Sequence, residues 1–409
     1  MDATSASSSN APDAEWLATS NPILVARLHD EIATSGPITV ARFMERALYE
    51  PVVGYYRTAT RRPGREGDFL TAPETHPFFG FALARQVAEC WERLGQPDPF
   101  TIREYGPGMG TLAYDILAAL ATDHPEVAAT TSYRLCDVNS HRMQEALAAM
   151  VEVGLGDVVT AETPDEAERS PITGISIANE VADALPCHQV VVRNGSLRER
   201  YIAWDEHAGW FTITEAELSP NLRAFDPAAR LATEGVATER LPEGSVLEIC
   251  PAAVSWIGAV ARGLERGYAL IVDYGYPAHE LYAGHRLGGL LRGYREHTVN
   301  ADPLAAIGEQ DLTAHVDFTL LMDAATESGM TVVGLTTQGD ALAALGLGDL
   351  LVAMQREEGV SLDEYYQAQA AVLRLIDPGG MGRFQMLALA KDAPTEPPLR
   401  LLTTAMPAF

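Results

Sequence analysis

The chain is short of positive charge. Its 409 residues carry 29 Lys and Arg against 56 Asp and Glu, a formal net charge of −27. Phosphate binding needs a basic face, so this balance argues against a nucleic-acid partner. The one dense basic stretch, Arg57, Arg61, Arg62 and Arg65, reads as a solvated loop. Long apolar runs are missing as well: none approaches the ~18–20 residues of a membrane span. Only four cysteines occur, Cys90, Cys136, Cys187 and Cys250, far apart and with no C-x-x-C pair. That fits buried thiols in a reducing compartment better than a disulfide framework. The ten histidines include no H-E-x-x-H, so no metal is expected. Residues 1–20 have neither the apolar core of a signal peptide nor the arginines of a transit peptide. Rich in Ser, Ala and Asp, they read as a disordered leader, and the simplest address is the cytoplasm of a bacterium.

What remains is ordinary globular composition, 47% hydrophobic and 21% charged, in a chain too long for one small core. Residues 21–98 read as an N-terminal helical cap. Its apolar residues Ile23, Leu24, Leu28, Ile32 and then Phe43, Ala47, Leu48 recur at helical spacing, broken at Ser35-Gly36-Pro37. A Gly-Asp-Phe loop follows at Gly67-Asp68-Phe69, and a third helix is expected to start at Thr75 with Pro77 in its first turn. Residues 99–392 alternate strand and helix. Strands are expected at 101–105, 133–136, 174–178, 245–249, 268–274, 331–336 and 384–390, with helices at 111–121, 140–153 and 252–265. Such alternation predicts an α/β fold with a mostly parallel sheet, its ligand beyond the carboxyl ends of the strands. Antiparallel strands at 187–215 and helices at 341–376 interrupt this core, and 393–409 form a C-terminal tail.

The sharpest local signal is Glu104-Tyr105-Gly106-Pro107-Gly108-Met109-Gly110-Thr111, directly after a strand and opening a helix. Glycines there let the backbone turn tightly and approach a ligand. A valine at Gly106 or Gly108 is therefore expected to fill the ligand's space while leaving the fold intact. A dinucleotide loop wants G-x-G-x-x-G, but Thr111 stands at the third glycine, which disfavours a dehydrogenase. An acidic residue two before a phosphate-free glycine turn suits S-adenosyl-L-methionine (SAM), whose cationic amino group needs a carboxylate nearby. Asp137, at the end of the next strand, is placed to accept from ribose hydroxyls. Taken alone it serves equally as a helix cap near Ser140.

Read together, further stretches resemble the MidA-like methyltransferases, which include mitochondrial factors needed to assemble respiratory complex I. They are Phe43-Met44-Glu45-Arg46-Ala47-Leu48-Tyr49-Glu50-Pro51 with Gly54-Tyr55-Tyr56, and Gly67-Asp68-Phe69-Leu70-Thr71-Ala72-Pro73-Glu74. Ala178-Asn179-Glu180 with Asp183-Ala184-Leu185-Pro186, Asp273-Tyr274-Gly275 and Arg292-Gly293-Tyr294 with His297 follow. The last is Asp311-Leu312-Thr313-Ala314-His315-Val316-Asp317-Phe318. The resemblance implies a seven-stranded Rossmann-like class I SAM methyltransferase core. It implies SAM contacts from Gly67, Asp68, Thr71, Glu104, Gly106, Gly108, Gly110, Asp137 and Asn179. Glu180 and His297 are expected as catalytic residues, and Asp183, Arg292, Tyr294 and Asp311 on the substrate side. One of Asp311 and Asp317 is expected to be a cap or backbone tie. Departures at Gly288-Gly289-Leu290-Leu291 and Ala306-Ile307-Gly308 bear on the substrate. The family implies methylation of an arginine of a partner protein, without metal. Transfer to oxygen or nitrogen of a small metabolite or peptide, or a SAM-binding assembly factor without turnover, stays open, as does a homodimer.

Overall fold

The computed structural model describes residues 19–58, 70–296, 298–356 and 359–403. The chain divides into two compact units, one of residues 1–58, 186–249 and 284–314, the other of residues 59–185, 250–283 and 315–409.

The second unit is built on a seven-stranded sheet. In chain order its strands are β1 (Phe100–Tyr105), β2 (Thr131–Cys136), β3 (Val159–Glu162), β4 (Ile172–Asn179), β5 (Leu264–Asp273), β6 (Thr331–Thr337) and β7 (Gln385–Lys391). Their order across the sheet is β6-β7-β5-β4-β1-β2-β3. The pairs β1–β2, β2–β3, β1–β4 and β4–β5 are parallel, whereas β7 runs antiparallel to both β5 and β6. Ile102, Tyr133, Ile175, Ile177, Leu270, Val272 and Leu387 lie almost wholly inside, the apolar runs that a sheet covered on both faces demands. Helices Phe78–Arg93 and Thr111–Asp123 cover one face. Their closest approach is at Gly80, where a Cβ would stand 2.4 Å from that of Asp115. Helices Gln338–Ala344, Leu347–Arg356 and Leu362–Ile376 fill the stretch between β6 and β7.

The first unit carries helices Pro22–Ser35 and Val40–Tyr49, an antiparallel sheet and a small three-stranded sheet. In the larger sheet, Ser196–Asp205 pairs with Ile38–Thr39, His188–Arg193 and Trp210–Ala216.

Three expectations change. The strand expected at 245–249 forms (Val246–Ile249), but it pairs antiparallel with His188–Arg193 and belongs to the first unit. The seventh strand of the core is instead β3, whose Val-Thr-Ala-Glu gives no apolar run because it is an edge. The helix expected from Thr75 begins at Phe78 with Pro77 as its cap, after a short separate helix Ala72–Thr75. Cys90, Cys136 and Cys187 are buried free thiols and Cys250 is half-buried. No helix among the described residues is long and apolar enough to cross a membrane.

Candidate functional site

Strand order reverses between β1 and β4, and a switch point of this kind is where parallel α/β sheets take their ligands, beyond the carboxyl ends of the strands. The glycine loop forms one wall. Gly106, Gly108 and Gly110 have φ of 64°, 55° and 83°, a region that side chains other than glycine's avoid. The Gly106 N–H donates to Cys136 O at 3.0 Å, and the Gly110 N–H to Pro107 O at 2.8 Å, before helix Thr111–Asp123 begins. A Cβ on Gly106 would press on Val181 Cγ2 at 2.8 Å, and one on Gly110 on Met150 Cε at 2.7 Å. Gly106→Val is therefore not fold-neutral, contrary to expectation: it strains the backbone and collides with protein.

Glu104 lies below this loop, 3% exposed, accepting from the Tyr133 hydroxyl at 2.7 Å. Burial raises its carboxyl to about 7, the Tyr133 hydrogen bond opposes the rise, and nearby Asp115 adds to it. At the end of β2, half-buried Asp137 accepts the Asn139 N–H at 2.7 Å. Asn139, not Asp137, caps helix Ser140–Glu152, which settles the alternative left open for Asp137.

The opposite wall is the end of β4. Asn179 Oδ1 is buried there without a hydrogen-bond partner among the described residues. Next to it Glu180 takes φ 52°, unusual for a residue with a side chain. Its N–H donates to Val272 O at 2.8 Å, and its Oε1 accepts from Asn179 Nδ2 at 3.1 Å and, more loosely, from the Ala72 N–H at 3.4 Å. Burial first, then the Asp183 charge, lifts Glu180 to about 8. Asp183 does not cap a helix: it lies in the short turn Ala182–Ala184 and accepts the Tyr274 hydroxyl at 2.5 Å. Burial raises it to about 6 against the pull of that hydroxyl. Asp273, ending β5, is wholly buried and accepts the N–H groups of Ala182 (2.9 Å), Asp183 (3.2 Å) and Tyr274 (2.8 Å). Burial, then Asp183 and Glu180, hold it well above the carboxylate range. Tyr274 packs edge-on against His315 and at a tilt against Phe384, and His315 stacks on Tyr276. Sequence reasoning missed Asp273 and Tyr274 as site residues, although the Asp-Tyr-Gly at a strand end was visible. Unremarked too was Asp115, whose Oδ2 is buried without a hydrogen-bond partner among the described residues and whose carboxyl burial raises to about 7.

Thr71 starts helix Ala72–Thr75, and its N–H and hydroxyl both donate to Glu74. Gly67, Asp68 and His297 lie outside the described residues. Arg292, Tyr294 and Asp311 form a second group, in the first unit: strand Arg292–Arg295 pairs antiparallel with Asp311–Thr313, bringing Tyr294 opposite Asp311. Arg292 donates to its neighbour Leu291 O at 2.7 Å, and both oxygens of buried Asp311 accept the Tyr56 hydroxyl at 2.8 Å. Asp317 is the expected cap, accepting the Leu320 N–H at 3.0 Å at the start of helix Phe318–Glu327. No group of three or more His, Cys, Asp or Glu among the described residues is arranged to hold a metal ion.

These walls fit SAM chemically. An acceptor atom awaits a donor at Asn179, a glycine turn offers bare backbone, and buried carboxylates favour a cation. A family model described as "Putative S-adenosyl-L-methionine-dependent methyltransferase" matches residues 82–336. The mitochondrial protein arginine methyltransferase NDUFAF7 homolog of Drosophila melanogaster is 30% identical, covering 90% of this chain and 84% of its own length. The mitochondrial protein arginine methyltransferase NDUFAF7 of Xenopus tropicalis is 29% identical over 95% of this chain and 89% of its own. The crystal structure of a superfamily member from Burkholderia thailandensis, bound to S-adenosyl-homocysteine, is 32% identical with a TM-score of 0.81, covering 96% of this chain and 97% of that one. Sheet order, family model and relatives agree with the expected fold and cofactor, and the chain belongs to the MidA-like family of SAM-dependent methyltransferases.

Proposed function

We propose that the protein methylates an arginine of a partner protein, with Glu180 and Asp183 as the acceptor-holding pair. The observation that carries this reading is the crowding of Glu180, Asp183 and Asp273 at the ends of β4 and β5. All three carboxyls are raised by burial, two of them further by one another, and no Arg or Lys among the described residues pairs with any of them. Buried carboxyls so crowded hold their protons until a cation arrives, and a cation placed beside them favours their charged forms. A guanidinium suits that role best, since it is charged at any working pH and binds carboxylates through a planar fork of N–H groups.

In this reading Gly106, Gly108, Gly110, Asp137 and Asn179 hold SAM, with Thr71 as a further contact, and Glu104 adds its carboxylate from below. SAM supplies an electrophilic methyl group carried on a sulfonium. The chain's residues do the positioning: the carboxylates fix the guanidinium and turn one nitrogen toward the cofactor, a contribution of roughly 7–11 kcal/mol where orientation is complete. The attacking nitrogen must shed a proton as its new bond forms. Glu180, raised to about 8 by burial and the Asp183 charge, is basic enough to accept it.

Quantitative proteomics of the host with and without the gene tests the reading. The expected result is loss of methylation at one or a few arginines. Loss of a methylated lysine, or of a methylated small molecule alone, would overturn it.

A further inference from the structure

We propose that Asp273 and Tyr274, consecutive residues at the end of β5, are the positioning residues of the acceptor site, Asp273 fixing the turn that carries Glu180 and Asp183 and Tyr274 fixing the Asp183 carboxylate itself. The inference rests on the acceptor role given above to Glu180 and Asp183.

Residue 180 occupies a left-handed conformation, so the turn must be held from outside. β5 supplies the holding groups in sequence. Val272 O accepts the Glu180 N–H at 2.8 Å. Asp273 Oδ2 takes the next free donors, the N–H groups of Ala182 and Asp183, while its Oδ1 takes the N–H of Tyr274. Both oxygens of this wholly buried side chain thus accept backbone N–H groups. Tyr274 then reaches the same turn through its side chain, donating its hydroxyl to Asp183 Oδ2 at 2.5 Å. Its ring is braced by His315 at a centroid distance of 5.5 Å and by Phe384 at 5.4 Å, which fixes the hydroxyl's position. The hydroxyl donates more strongly to a charged carboxylate than to a neutral carboxyl, so Tyr274 both aims Asp183 and favours its charged form. The titratable groups facing Asp183 are Tyr274 and Asp273 from β5 and Glu180 from its own turn. Glu74 in turn faces Glu180, and His315 abuts the Tyr274 ring.

Two measurements on the S-adenosyl-homocysteine-loaded full chain test this. The first is carboxyl-carbon NMR titration with labelled aspartate, the Asp183 signal identified by its loss in Asp183→Asn. In Tyr274→Phe the Asp183 midpoint should move up by about one pH unit or more, the loss of one charge-assisted hydrogen bond. The second is calorimetric binding of N-acetyl-arginine amide across pH. Tyr274→Phe should weaken binding about threefold or more near pH 6.5, with affinity returning to the wild-type level near pH 9, where Asp183 is charged without help. A merely structural tyrosine would give no such rescue. Asp273→Asn, which turns an acceptor into a donor facing backbone N–H groups, should lose the probe at every pH while S-adenosyl-homocysteine affinity holds. An unmoved Asp183 midpoint in Tyr274→Phe overturns the positioning role. Wild-type protein that ignores the probe, or Glu180→Gln and Asp183→Asn variants that bind it normally, overturns the acceptor reading instead.

Discussion

At the scale of single residues, buried carboxylates distinguish this site, and burial is what sequence shows least. The places of Glu104, Asp137, Asn179 and Glu180 at strand ends were legible because period and punctuation mark position there. Asp115 was not: helix Thr111–Asp123 also carries exposed Asp123, and the helical pattern gives an acidic residue no sign of which face it occupies. Its side chain is 3% exposed and faces helix Phe78–Arg93 at Gly80. A carboxyl raised to about 7 in the fold holds its proton where the unfolded chain has lost it, so its cost is absent below about pH 4 and grows as pH rises to 7. Asp115→Asn should therefore stabilise the protein at pH 8 by about 1–3 kcal/mol and do little at pH 4, as read by urea unfolding at both pH values. Equal effects at the two values would show that the charge is not the cause.

Among elements, local pattern named six of the seven strands of the main sheet but neither strand Val159–Glu162 nor helix Phe318–Glu327, and it did not always name the partner. Val246–Ile249 precedes helix Pro251–Arg262 and so imitates a strand-helix unit of the core, yet it pairs in the antiparallel sheet. Pairing partners are set by tertiary packing, which strand propensity does not carry. The same limit hid a constraint inside the main sheet. Thr101, Gly174 and Gly267 lie side by side on β1, β4 and β5, and both glycines have positive φ, 156° and 146°. A Cβ on Gly174 would stand 1.9 Å from Thr101 O, and one on Gly267 the same distance from Gly174 O. Two backbones cannot yield that far without unpairing. Gly174→Ala should cost about 3 kcal/mol or more, seen as a lowered unfolding midpoint or insoluble protein. A near-wild-type midpoint would mean that the strands shift freely there.

For the molecule as a whole, the net charge of −27 belongs to the same account as the acidic site. An acidic protein attracts a basic acceptor segment over distances set by salt. With an arginine-rich acceptor peptide, KM should rise several-fold between about 50 and 300 mM salt while kcat holds, because steering acts on encounter and not on the transfer step. A KM indifferent to salt would separate the global charge from acceptor recognition. The central claim, that Glu180 orients the acceptor nitrogen, is tested most directly by Glu180→Gln. This change keeps the side chain's shape and removes the charge that a guanidinium needs. Calorimetric SAM affinity and single-turnover methylation of the acceptor are measured on the same preparation. Loss of one charged hydrogen bond, about 1.5–3 kcal/mol, predicts turnover reduced roughly ten- to more than a hundredfold with SAM affinity little changed. Full turnover in the glutamine variant would contradict the account, and SAM binding lost with the fold intact would make Glu180 a cofactor residue instead.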